Sequence, residues 1–268
     1  MPGFTSYADM LAEYEAGKNF HREFYKSHSV APEIGHWTSL WYDSGTPAAG
    51  ADPAGTPGEA YANHASAFSF ADVDPDRKLL LRLSGSCNDA IALMLYDRLV
   101  GVSGITLDST GDKTVNSAAL TRYTSGIGVE AWLEITTAQV GSTTLSMSSY
   151  TNDAGTAARD GASATFAGLN QRTMFFLPLK DGANDKGVRS LETINVSVET
   201  ASAGVANLIL LKPIAYIPIP PEASNEREFV LDLSKYPRIY DDATLALMAF
   251  CGSSGSFQVT GGLELVYG

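Results

Sequence analysis

Four histidines, two cysteines and a few carboxylate clusters are the residues of this 268-residue chain whose types and spacing invite a chemical reading. His21, His28, His36 and His64 make no i, i+4 ligand pair and no His-Glu-x-x-His motif, so they read as solvated or capping side chains. Cys87 and Cys251 lie far apart and offer no zinc spacing. They read as free, buried thiols, a disulfide being the alternative. Glu130 and Glu134 share one face of a strand with Trp132 between them. Four residues of strand separate them by roughly 13 Å. A retaining glycosidase needs its carboxylates about 5 Å apart and an inverting one under about 10 Å. The pair therefore reads as a solvated face beside an exposed aromatic, or as a surface between subunits. Asp72, Asp74 and Asp76 open like a calcium loop, but Arg77 and Leu83 stand where an EF-hand needs Gly and Glu. A turn is the simpler reading, a generic cation site the alternative. KDGANDKG (180–187) reads as a hairpin loop. Gly126-Ile127-Gly128 lacks the third glycine of a dinucleotide loop, and there is no Walker A or G-x-S-x-G sequence. The expectation is a protein with no catalytic residue, no metal site and no cofactor.

The elements that would position such residues change character along the chain. Ser6–Ala16 has helical spacing of Tyr7, Leu11 and Tyr14, with Thr5 as cap and Gly17 as stop. A second helical turn is expected over Phe20–Tyr25. GHWTSLWYDSGTPAAGADPAGTPGEAY (35–61) is rich in Gly, Pro and Ala yet carries Trp37, Trp41 and Tyr42. It reads as an extended arm lying on another surface, with a disordered linker as the alternative. From Leu79 onward, short apolar or alternating runs appear at 79–83, 91–96, 129–136, 144–150, 174–179, 194–198 and 208–211, with turn clusters between them. This pattern predicts an all-β fold, an antiparallel β-sandwich of jelly-roll type. AYIPIPPE (215–222) reads as a stiff connector to three further strands at 228–233, 244–250 and 256–267. The expected organisation is an arm over 1–75, a sandwich core over 76–215 and a C-terminal β extension over 216–268.

Composition narrows the partners. Thirty Asp+Glu against eighteen Lys+Arg leave a net charge of -12, which disfavours a nucleic-acid groove or an anionic membrane surface. No apolar run is long enough for a membrane helix, and the first residues do not read as a secretion signal.

Several segments, taken as an ordered set, carry a resemblance. They are LMLYDRLVGVSGITLD (93–108), AALTRYTSGIGVEAWLEI (118–135), SYTNDAGTAAR (149–159), FFLPLKDGANDKGVRSLETINVS (175–197) and LILLKP (208–213), with GHWTSLWYDSGTPAAG in the arm. Together they resemble a family of virion structural proteins of tailed bacteriophages, over the chain up to about Pro221. The resemblance implies a particle component assembled in the host cytoplasm. A head decoration or cement protein bound to the major capsid protein or other virion proteins is expected. The alternative is a tail- or fibre-associated module that contacts host-surface glycans through exposed aromatics such as Trp132. Candidate contact residues are Trp37, Trp41 and Tyr42 of the arm, Trp132, and Arg98, Arg122 and Arg189. The arginines are expected to pair with carboxylates such as Asp97 or Asp181, or to cross a subunit boundary. Leu263, Leu265 and Tyr267 alternate in a terminal strand that needs a partner. Exchange of that strand between copies of the chain would favour a trimer, folding back onto its own sandwich being the alternative.

Overall fold

The computed structural model describes residues 3–180, 184–201, 203–228 and 236–268. The chain opens with helix α1 (Tyr7–Glu15) and then strands β1 (Asn19–His28), β2 (Trp37–Ser39), β3 (Ser44–Thr46) and β4 (Glu59–Ala60). Next come β5 (Lys78–Cys87), β6 (Ile91–Thr106), β7 (Gly111–Thr114), β8 (Glu130–Thr137) and β9 (Ser142–Asn152). β10 (Ala164–Ala167), β11 (Thr173–Leu177), β12 (Val188–Val198) and β13 (Val205–Ile219) follow. The last strands are β14 (Ala223–Glu228), β15 (Arg238–Ile239), β16 (Leu245–Cys251) and β17 (Phe257–Tyr267). Every pairing among the described residues is antiparallel, so the fold is the expected all-β sandwich type with a short N-terminal helix.

The strands form three sheets. The first runs β14-β5-β17-β1-β3, with β15 also on β5. The second runs β10-β9-β12-β7. The third runs β13-β8-β11-β2-β16-β6-β4, and β13 also pairs with β6. That extra pairing closes six strands into a hydrogen-bonded ring. Sixteen residues of β6 and fifteen of β13 run side by side as its spine.

Side-chain alternation shows why this central sheet is buried on both faces. Leu93, Leu95, Leu245, Leu247, Ile217 and Ile219 point outward from the ring and meet Leu80, Leu83, Val259, Leu263 and Leu265 of the first sheet. Further along the same spine Val100, Val102, Leu208 and Leu210, with Leu133 and Ile135 of β8, meet Leu145, Met147, Leu191 and Ile194 of the second sheet. Tyr96, Trp132, Met174, Ile209, Leu211 and Met248 point into the ring. Two sandwiches therefore share one sheet.

Several expectations are corrected. Ser6, not Thr5, is the helix cap. Its hydroxyl accepts from the Asp9 N–H at 3.1 Å, while the Asp9 carboxylate accepts from the Thr5 N–H at 3.0 Å. Residues 20–25 are strand, because all ten residues of β1 find ladder partners in β17. The 1–75 segment is no separate arm: β1 and β3 join the first sheet, and β2 and β4 the third. Nor do residues 216–268 form an extension. β13 runs straight through the proline-rich stretch, β16 sits between β2 and β6 in the ring, and β17 sits between β5 and β1. Pro213 and Pro218 are tolerated in β13 because β8 pairs with it only up to Leu211, leaving that half of the strand with one neighbour. The expected strand at 228–233 lies largely outside the described residues.

Candidate functional site

The inner face of the ring holds the densest set of charged groups. Arg98 and Glu134 are both fully buried, and they pair through two hydrogen bonds of 3.3 and 2.9 Å. The Arg98 guanidinium lies over two adjacent aromatic rings, 4.7 Å from the Trp41 centroid and 5.1 Å from that of Tyr61. Burial opposes the charge on Arg98, but Glu134 and the flanking tyrosines more than offset it and hold its pKa well above the usual value. The Tyr42 hydroxyl lies 2.9 Å from Glu134 Oε2 and 2.9 Å from Asp52 Oδ1, and Asn207 Nδ2 donates to both Tyr42 and Asp52. Burial pushes the Tyr42 phenol strongly upward, so it stays protonated. Next to this group, Arg122 grips Asp97 through Nε and a second nitrogen and donates to the carbonyls of Tyr61 and Arg98. The Thr244 N–H also donates to Asp97 at 3.0 Å.

The arm delivers half of this cluster. Trp41 is anchored by its indole N–H to the Ala51 carbonyl at 3.0 Å, and the Gly50 N–H returns to the Trp41 carbonyl at 2.8 Å. A side chain at Gly50 would stand 2.1 Å from the Trp41 ring, so only glycine closes this turn. Trp41, Tyr42 and Tyr61 thus lie against the chain's own ring and cover part of its inner face.

A second buried cluster sits where β1, β2 and β3 meet. His28 Nδ1 lies 2.8 Å from Asp43 Oδ2, the other Asp43 oxygen takes Arg172, and Thr38 Oγ1 lies 3.5 Å from His28 Nε2. Carboxylate, imidazole and hydroxyl in that order match a nucleophile relay in outline. His28, Asp43 and Thr38 are nevertheless each about 1% exposed, and the imidazole stacks on Phe257 at 4.9 Å. No substrate reaches such a hydroxyl, and the arrangement acts as a packed ion cluster. Lys26 closes it from one side, donating to the carbonyls of Pro47 and Asp43, and burial pushes its ammonium down to about 8. His28 is thus not the solvated residue the sequence suggests. From Glu23 onward the odd positions of β1 are exposed or half-buried and the even ones Phe24, Lys26 and His28 are buried, an alternation that the helical reading of 20–25 hides.

The remaining predicted residues fall into place around these clusters. The Glu130–Glu134 face is the inner face of the ring, not a solvated one, because β8 is covered on both sides. Trp132 is 6% exposed and its indole N–H donates to Glu130 at 2.9 Å, so it is no open platform for a sugar. Arg189 donates to the backbone carbonyls of Ser125 and Asp153, not to a carboxylate. Asp181 lies outside the described residues. In the KDGANDKG loop, Asp185 is held by Tyr150, Asn152 and Arg159, whose hydrogen bonds outweigh the effect of burial and keep its carboxyl below the usual range. Leu263 and Leu265 are fully buried within the chain's own first sheet, and Tyr267 stacks on Phe20 at 5.1 Å. Cys87 and Cys251 are free and buried, and burial pushes the Cys251 thiol up to about 12. Among the described residues no group of carboxylates, histidines and cysteines is placed to hold a metal ion, and no helix is long and apolar enough to cross a membrane.

Trp37 alone of the arm's predicted contact residues reaches an apolar surface. Its ring meets Phe250 at 5.6 Å and Tyr216 at 6.1 Å, and Phe176 lies two residues beyond its strand partner Met174. Phe176, Tyr216 and Phe250 are 38–41% exposed. Beneath them lie Met94, Met174, Met248 and Trp132. Sequence reasoning missed this patch because its members come from four strands distant in the chain.

No family model matches the chain, and no curated protein matches it. Among solved structures, the infectious bursal disease virus VP2 subviral particle is 9% identical, covers 93% of this chain and 81% of its own, and has a TM-score of 0.17. The Gt strain of the same virus gives 9% identity, the same coverages and a TM-score of 0.14. Likeness at that level assigns neither fold nor function.

Proposed function

We propose that this protein is a structural component of a tailed-bacteriophage virion, a capsid decoration or cement protein that acts by contact and not by catalysis. The observation that carries the contact reading is the aromatic patch of Trp37, Phe176, Tyr216 and Phe250. Four partly exposed aromatics over a methionine-lined floor are a costly surface to leave in water, and such patches mark interaction sites. The charged groups that would serve catalysis are paired and buried instead. The ordered set of phage-like segments supplies the virion context. The contact falls to the aromatic patch and not to the C-terminal strand, which is already paired inside its own chain.

The test is reconstitution. Purified protein is added to phage heads that lack it, and bound copies are counted by cryo-EM. Occupancy in step with the shell subunits supports the reading. Tyr216→Asp and Phe250→Asp should each lower the affinity at least tenfold, since burying either ring contributes about 1.5–3 kcal/mol. A handful of copies at one vertex, or full occupancy by both variants, overturns it.

A further inference from the structure

The outward face of the first sheet carries a trough of about 550 Å³, lined by His21, Glu23, Tyr25, Thr46, Ser84 and Thr260. The strand register explains it. Ser84, Gly262 and Glu23 form one cross-strand row on this face. Ser86, Thr260, Tyr25 and Thr46 form the next, and Arg82, Glu264 and His21 the row on the other side. Same-face rows lie two residues apart, so the outer two are separated by roughly 13 Å. The middle of the middle row is Gly262, which has no side chain. The nearest atoms to a Cβ placed there are His21 Cε1 at 3.2 Å and Ser84 Oγ at 3.5 Å, so the missing side chain leaves a hollow floored by backbone and walled by polar groups.

The lining selects the ligand. A phosphate or other anion needs a free cation, but Arg82 is held by Glu264 at 3.0 Å and by Glu226 at 3.4 Å, and His21 lies 3.8 Å from Glu23. A divalent cation needs several oxygen ligands of high charge, and Glu23 is the one carboxylate in the lining. An apolar molecule finds hydroxyls, an imidazole and a carboxylate, and the Phe24 ring in the lining is buried in the core. A neutral, polyhydroxylated molecule suits all of them. Tyr25, at 38% exposed, offers a ring face for the C–H side of a pyranose. Glu23, with its side chain 86% exposed, offers a carboxylate for two neighbouring hydroxyls. The volume falls within the range of about 300–1,000 Å³ usual for ligand sites. We propose that this trough binds a neutral saccharide of two or three rings, with Tyr25 as the stacking platform and Glu23 as the principal acceptor. The proposal stands apart from the aromatic patch, which lies on another sheet and another chemistry.

Saturation-transfer NMR on the full chain, with a panel of neutral di- and trisaccharides built from glucose, galactose and N-acetylglucosamine, tests it. At least one member should receive magnetisation, and calorimetry on that member should show its affinity reduced at least tenfold by Tyr25→Ala and by Glu23→Gln. Both side chains are exposed, so the melting temperatures should stay unchanged and separate loss of binding from loss of fold. A sialylated form of the same oligosaccharide should bind more weakly. No transfer to any neutral member, transfer that neither variant reduces, or tighter binding of the sialylated form overturns the proposal.

Discussion

Arg98 and Glu134 illustrate how a residue pair serves the fold. Both charges are out of water, and each is tolerable only because the other is present, along with two aromatic faces and the Tyr42 hydroxyl. Removing one partner leaves an uncompensated buried charge. Arg98→Met alone and Glu134→Leu alone should each lower stability by about 3–5 kcal/mol. The double variant Arg98→Met/Glu134→Leu should cost much less than the sum, because an apolar pair fills the same space without an orphaned charge. Urea unfolding of the four proteins closes the cycle, and additive losses would show that the two side chains act independently. Arg122 and Asp97 repeat the arrangement one step along the neighbouring chain positions, facing the opposite side of β6.

At the scale of elements, β17 and β16 decide what the C-terminal quarter is for. β17 supplies ladder partners to ten residues of β1 on one side and to β5 on the other, so it is the middle of its sheet and not a tail. β16 bridges β2 and β6 and closes the ring. Deleting everything after Pro221 should therefore abolish the fold. The truncated chain is expected to be insoluble, or to lose most of its far-UV circular dichroism β signal. A soluble truncated chain with native-like β content would mean that β17 is replaceable, as strand exchange between copies requires. The edge strand β14 carries Asn225, Glu226, Arg227 and Glu228, polar and charged residues that discourage pairing with another chain.

For the molecule as a whole, the consequence of a shared sheet is cooperativity. β6 and β13 each contribute side chains to both sandwich cores and to the ring interior, so neither sandwich survives alone. Calorimetry should show one transition whose calorimetric and van't Hoff enthalpies agree. Leu93→Ala in one core and Leu208→Ala in the other should each lower that single transition, at a cost of about 2–5 kcal/mol. Two separable transitions, each moved by only one of the variants, would show two independent domains.

Local pattern was enough to read the β class and most strand positions from Leu79 onward, because alternation and turn chemistry are properties of neighbouring residues. Reach along the chain is what defeated the rest. β1 looked helical because a ten-residue strand with exposed or half-buried odd positions gains its identity from β17, more than two hundred residues away. Glu134 and Trp132 looked solvated because alternation reports that a strand has two faces, not whether both are covered. The arm looked like a reach toward another molecule because its tryptophans demand burial without saying against what. Closure of β13 onto β6 answered these questions together: it made an inner face, gave Trp41 and Tyr61 a buried arginine to enclose, and left Trp37, Phe176, Tyr216 and Phe250 gathered at the surface. Burial on a second face is set by the whole arrangement of sheets, and no stretch of sequence carries it alone.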